Sequence, residues 1–177
     1  MRRASFIAYV SGLLATGIAL LTGCAKRESS NSMSNMMQSM IGSGGMMNVS
    51  QSDMQIYMDM FEHHREIRRT VQQLPNGIRT VTESDNPRIA ALLHRHVPDM
   101  YSHVASGQEV HCMSNSLPTM FRNASRYKRH LQLTAKGVAI VETSTDYTVL
   151  TAIRRHADEV TGFVVDGMPA MMRRMMH

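Results

Sequence analysis

The chain has 177 residues, with 19 Lys and Arg against 14 Asp and Glu and a formal charge of +5 at neutral pH. A basic excess this small does not favour nucleic acid as a partner. The two cysteines, at positions 24 and 112, exclude a fold held together by several disulfides.

The N-terminal segment has the features of a bacterial export signal. In MRRASFIAYVSGLLATGIALLTGC, two arginines precede an apolar run that is too short and wrongly flanked for an ordinary membrane-spanning helix. The run ends in L-T-G-C, which resembles the lipobox of bacterial lipoproteins. This resemblance covers the first 24 residues. It implies that residues 1–23 are a cleaved signal peptide and that Cys24 carries acyl chains such as palmitate.

The same resemblance predicts where the protein works. A lipobox implies export to the periplasmic side and anchoring in membrane lipid through Cys24. Ala25 stands where lipoproteins kept at the inner membrane often have Asp, so the outer membrane is favoured. Cleavage would remove two arginines and no acid and leave 17 basic against 14 acidic residues. With Cys24 acylated, Cys112 would be the one remaining cysteine, which cannot form an internal disulfide.

Residues 24–50 predict a lipidated, flexible tether. The segment is rich in Met, Ser, Asn and Gly and nearly free of β-branched and aromatic residues. It cannot bury enough apolar surface to offset the entropy of ordering it. Residues 51–177, which end in a methionine-rich tail, are enough for one domain.

The domain contains an internal duplication, with copies at about 53–107 and 117–167. A constant offset of 60 aligns residues 61–104 with 121–164 without gaps. It superposes Gly77 on Gly137 and His96 on His156, together with many apolar positions. The two copies therefore share one structural unit.

Each copy predicts the order helix, strand, helix. Apolar residues recur at steps of three and four over residues 54–74, which predicts one helix there. Short β-branched runs follow at 78–83 and 138–143. Asn86-Pro87 and Asp146-Tyr147 then mark the start of a second helix. Two such units related by a pseudo-twofold axis predict a mostly helical α+β fold, with four helices packed around a small antiparallel sheet.

Three histidines fall on the predicted inward faces. His96 and His156 occupy equivalent positions on the second helix of each copy, and His64 lies on the apolar side of the first helix. A twofold axis can bring equivalent side chains together, so these imidazoles and Met100 could share one metal ion. A thioether ligand favours copper over zinc or haem iron. The alternative is that the histidines only satisfy polar groups in the core.

Methionine clusters give a second set of candidate ligands. The mature chain would hold 17 methionines in 154 residues, and the pattern M-x-x-M-M-x-x-M occurs twice outside the repeat. The two sets are Met33, Met36, Met37 and Met40, and Met168, Met171, Met172 and Met175. A helix would place each set on one face, and clustered thioethers suit Cu(I). His111, Cys112 and Met113 form a third group of soft ligands. The alternatives are an adaptable docking surface and, at the C-terminus, a stripe that closes the core.

The sequence gives no ground for assigning an enzyme, since motifs such as G-x-S-x-G and H-E-x-x-H do not occur. We expect an exported, membrane-anchored lipoprotein that sequesters or transfers a metal, with copper favoured. Its expected partners are membrane lipid and a protein that donates or accepts the metal, and not nucleic acid. One alternative is a non-catalytic structural lipoprotein with core histidines and a methionine-rich docking surface. A haem-binding or redox protein is the third interpretation.

Overall fold

The computed structural model describes residues 50–110 and 114–175, with the side chains of the second range described as far as Arg174. The predicted signal peptide and nearly all of the predicted tether lie outside these residues. The helices are α1 (Gln51–Glu62), α2 (Pro87–Ser106), α3 (Leu117–Arg122), α4 (Tyr147–Asp166) and α5 (Met168–Met175). The strands are β1 (Ile67–Leu74), β2 (Gly77–Ser84), β3 (Lys128–Thr134) and β4 (Gly137–Thr143). Short 3-10 turns at His64–Glu66 and Ala124–Arg126 lead into β1 and β3.

The predicted helix–strand–helix unit is wrong, because each copy contains two strands. The predicted long helix ends at Glu62, and residues 67–74 form β1, which pairs with β2 along its whole length from Ile67–Ser84 to Leu74–Gly77. In β1 the side chains of Arg68 and Thr70 are exposed, and those between and beside them are partly or fully buried. This alternation has a period of two, as expected of a strand with one face toward the core.

The four strands form one antiparallel sheet in the order β1-β2-β4-β3. In the central pair, Thr80 of β2 lies opposite Ile140 of β4. These two residues are 60 positions apart, which is the offset of the duplication. A pseudo-twofold axis therefore passes through this pair, and the predicted antiparallel pairing of the two copies is confirmed.

The predicted packing of four helices around the sheet is also wrong, since the described residues contain five helices and the core lies on one side of the sheet. Alternate side chains of β2 and β4, including Ile78, Thr80 and Val138, are buried. The main apolar cluster joins Ile78 to side chains of α2, α3 and α4, such as Val104, Phe121 and Ile153. The predicted α+β class is correct. The architecture, however, is a four-stranded sheet whose helices pack on the face that carries the buried side chains of β2 and β4.

The predicted starts of the second helices are confirmed. The Asn86 side chain accepts a hydrogen bond from the backbone N–H of Arg88, and Pro87 takes the first helical position of α2. The Asp146 side chain caps α4 in the same way, through the backbone N–H of Val149. Within the described ranges, neither these helices nor the shorter ones combine the length and apolar character that crossing a membrane requires.

Two equivalent glycines allow β2 and β4 to approach each other, and they give a first prediction. A Cβ atom at Gly77 would lie 1.9 Å from the backbone oxygen of Glu142, and one at Gly137 would lie 2.1 Å from that of Thr82. We expect either glycine-to-alanine variant to lower the free energy of unfolding by about 3 kcal/mol or more, because the central strand pair must separate.

Urea unfolding checks this, with Gly162→Ala in α4 as the control. A Cβ there meets only the end of the Arg174 side chain, at 3.9 Å, so the better helix propensity of alanine should raise stability by up to about 1 kcal/mol. Equal effects of the three substitutions would contradict the close strand approach.

Candidate metal centre

A cavity of about 220 Å³ lies between the inner face of the sheet and the helices. Side chains of α1, α2 and α4 form most of its apolar wall, and alternate residues of β2 and β4 form its floor. All three histidines predicted to point inward, His64, His96 and His156, line this cavity together with Met100. The duplication and the helical periodicity therefore identified side chains that border one cavity.

The three imidazoles do not form one compact ligand cluster. In the described part of the chain, the one group of three His, Cys, Asp or Glu ligand atoms within 4.8 Å of one another is Asp59, Glu62 and His63, at the end of α1. Glu62 in this group is exposed, and His63 Nδ1 donates to the backbone oxygen of Asp59 at 2.9 Å. A surface cluster of this kind does not by itself indicate a metal site.

His96 and His156 are the two imidazoles that interact electrostatically. Burial, followed by the charge of His156, lowers the pKa of His96 from 6.5 to about 4, against an opposing effect of Asp53. The His96 ring meets the edge of the Tyr57 ring at a centroid distance of 4.9 Å. Neither ring nitrogen of His96 has a hydrogen bond within the described ranges. His96 is therefore neutral at pH 7, with a lone pair available to a metal.

Met100 adds a thioether to this pair. It lies four residues after His96 and so occupies the same face of α2. The Tyr57 hydroxyl donates to Met100 Sδ at 3.4 Å, which holds the methionine side chain beside the cavity. Two imidazoles and one thioether thus border the same space.

His64 has a different position. Its Nδ1 donates to the backbone oxygen of Val164, near the end of α4, at 2.8 Å. A carbonyl only accepts, so Nε2 of His64 carries the lone pair. However, Gly167 packs against this ring edge, and a Cβ at that position would lie 2.8 Å from His64 Nε2. The described contacts of His64 therefore join the end of α1 to the end of α4.

Polar groups of the sheet line the cavity as well, and the sequence did not indicate them. Arg69 Nη1 donates to Thr82 Oγ1 at 2.6 Å, and the Tyr101 hydroxyl donates to Glu142 Oε1 at 3.1 Å. Burial raises the pKa of Glu142 and lowers that of Arg69 to about 10. The alternating pattern of β1 would have identified Arg69 if residues 67–74 had been recognised as a strand.

The other predicted ligands lie outside the cavity or outside the described residues. The set Met33, Met36, Met37 and Met40 and the group His111, Cys112 and Met113 belong to segments that the structure does not describe. Residues 168–175, which were predicted as a methionine-rich tail, form the helix α5. Met171 is only 2% exposed and packs in the core, while Met168 and Met172 are half-buried and Met175 is the last residue of the helix.

Comparison with known proteins adds no identification. No protein-family model matches the chain, and no curated protein or solved structure is detectably similar to it. A functional assignment therefore depends on the geometry of the cavity itself.

The environment of His96 predicts a dependence of stability on pH. Folding holds the pKa of His96 near 4, against 6.5 in the unfolded chain, so the folded state resists protonation. The contribution of His96 to the free energy of unfolding is fully present above about pH 6.5 and is lost as the pH drops toward 4. This contribution is at most about 3 kcal/mol. The His96→Phe variant lacks this pH-dependent contribution.

Urea unfolding of both proteins at pH 7 and pH 4.5 measures the effect. The wild type should lose more stability between the two pH values than His96→Phe does. The same loss in both proteins would show that His96 is not held neutral by the fold.

Proposed function

We propose that this protein is an exported, membrane-anchored lipoprotein that binds copper in its central cavity, with His96, Met100 and His156 as ligands. The observation that supports this most strongly is that two repeat-equivalent imidazoles and one thioether line a single cavity. His96 is half-buried and makes no hydrogen bond in the described structure, so no polar partner competes with a metal for its ring nitrogens.

The ligand set favours copper among the candidate metals. Imidazole nitrogen suits copper, zinc and iron, whereas thioether sulfur is a soft ligand that favours Cu(I). Cu(I) also carries a single positive charge, which costs less to bury than the double charge of Zn²⁺ in a mostly apolar cavity. Structural zinc almost always takes four protein ligands of the Cys, His and carboxylate types, and the pair of imidazoles supplies only two.

The size of the cavity argues against haem. Pockets that enclose drug-sized ligands have volumes of about 300–1,000 Å³, and a haem is larger than most such ligands. The cavity here measures about 220 Å³, which is ample for one ion and small for a porphyrin. An ion coordinated directly by the side chains is therefore the better match.

The methionine-rich segments would extend copper handling beyond the cavity. The set at 33–40 and the group His111, Cys112 and Met113 offer soft ligands near the membrane and in the connection between the copies. Burial of Met171 reduces what the C-terminal set can contribute in the folded state. We propose that these groups collect Cu(I) or pass it to a partner protein.

Competition titration with a Cu(I) chelator tests the cavity site. Met100→Leu and His156→Phe each remove one ligand atom while keeping an apolar side chain of similar size, so each should weaken the tightest site by at least about 10-fold. The control is His130→Gln, because His130 is exposed on β3 and does not line the cavity.

Copper should also raise the melting temperature of the wild type more than that of either ligand variant, since binding to the native state stabilises it. Unchanged affinity in both ligand variants, or no stabilisation of the wild type, would contradict the cavity site and favour a structural lipoprotein with core histidines.

The lipoprotein assignment has its own test. In a bacterial host, Cys24→Ser should abolish incorporation of labelled palmitate and release the protein from the membrane fraction, because no acyl chain can then be attached. Labelling and membrane association that persist in Cys24→Ser would overturn the assignment without affecting the cavity site.

A further inference from the structure

The two repeat-equivalent histidines have different surroundings. His156 lies against a polar cluster formed by Ser114, Ser116 and Glu159, whereas His96 meets only the aromatic ring of Tyr57 among the contacts described above. Glu159 Oε2 is 3.9 Å from His156 Nδ1, and this carboxylate is only 1% exposed. The duplication has thus placed a buried acid beside one imidazole of the pair.

The first copy has no buried acid at the equivalent position. The residue equivalent to Glu159 is Asp99, whose side chain is 47% exposed and pairs with Arg95 at the surface. Arg155 forms the equivalent pair with Glu159, at 3.4 Å. The same i,i+4 ion pair therefore occurs in both copies, but only in the second copy is its acid buried against the histidine.

Counting protons fixes the tautomer of His156. Glu159 accepts a hydrogen bond from the Ser116 hydroxyl at 2.7 Å and another from the Ser114 hydroxyl. The two hydroxyl oxygens also lie 3.0 Å from each other. The two serine protons therefore already face three contacts, with the carboxylate and between the serines, and neither is left to donate to His156. The two oxygens lie 3.3 and 3.2 Å from Nδ1 of His156. Nδ1 therefore carries a proton, and in the neutral ring the lone pair is on Nε2.

The second oxygen of Glu159 keeps the carboxylate charged. Oε1 lies 3.4 Å from Arg155 Nε and 3.3 Å from Arg174 Nη1. The carboxylate thus has one oxygen facing two guanidinium groups and the other facing two hydroxyl donors, an arrangement that suits an ionised acceptor. Arg174 also connects this cluster to α5.

We propose that Glu159 is a positioning residue that acts through Ser114 and Ser116 to make His156 the anchoring ligand of the metal, while His96 is the ligand that exchanges. This rests on the proposed copper site. Metal-bound histidines almost always donate their other ring N–H to a carboxylate, carbonyl or water, which orients the ring and raises its basicity. His156 has this arrangement before any metal binds, and His96 lacks it.

The test compares Glu159→Gln with Asp99→Asn, a matched acid-to-amide change at the equivalent position. Long-range ¹⁵N NMR of the metal-free protein reports which ring nitrogen of His156 carries the proton. Wild type and Asp99→Asn should show the Nδ1–H tautomer alone. Glu159→Gln should show a mixture, because the amide can donate to the serine oxygens as well as accept from them. Cu(I) affinity should fall about 10- to 100-fold in Glu159→Gln and stay unchanged in Asp99→Asn.

A second variant tests the same role independently, in case Glu159→Gln does not fold. Ser114→Ala with Ser116→Ala keeps the carboxylate and its arginine pairs but removes the bridge to His156, so it should show the same tautomer mixture and the same loss of affinity.

The outcomes separate the two proposals. A wild-type tautomer and wild-type affinity in both of these variants would overturn the positioning role. A fixed tautomer in the wild type without any Cu(I) binding would overturn the copper site and leave the positioning of His156 intact.

Discussion

The pairing of β2 with β4 is the constraint on which the rest of the structure depends. Because Thr80 lies opposite Ile140, the two copies are related by an axis through the centre of the sheet, and α2 and α4 contribute equivalent walls to one cavity. A shift of this pairing by one residue would turn every side chain of a strand to the opposite face and remove Glu142 from the cavity floor. Glycines at positions 77 and 137 allow the close approach that this pairing requires.

The sequence predicted the parts of the fold that are encoded locally or by repetition. The duplication is visible because its offset is constant, and the second helices begin where Asn86 and Asp146 supply side-chain caps. Residues 67–74 were assigned to a helix because apolar residues separated by three and four positions fit a helical face. The strand conformation there is stabilised by pairing with β2, a tertiary interaction that local periodicity does not contain. The error at β1 also concealed Arg69, which faces the cavity only because β1 is a strand.

The sequence predicted the part of the candidate site that lies on the helices, but not the polar cluster around it. His96, Met100 and His156 lie on apolar stripes, so their approach to a shared interior followed from the helical pattern and the twofold axis. The cluster around His156 did not follow, because Ser114 and Ser116 are 42 and 40 positions away, respectively, and have no counterpart beside His96. The duplication places two imidazoles at equivalent positions, and the buried Glu159 gives only His156 a hydrogen-bonding environment that includes a carboxylate. A protein that holds a metal firmly at one ligand and exchanges it at another would need two imidazoles with different surroundings of this kind.

X-ray absorption of the protein loaded with one equivalent of Cu(I) tests the central claim most directly. We predict a copper ion with two imidazole ligands and one sulfur ligand, and a spectrum that loses its sulfur contribution in Met100→Leu. A copper ion surrounded by sulfur alone, or a spectrum that does not change in Met100→Leu, would show that copper binds outside the cavity and would contradict the account.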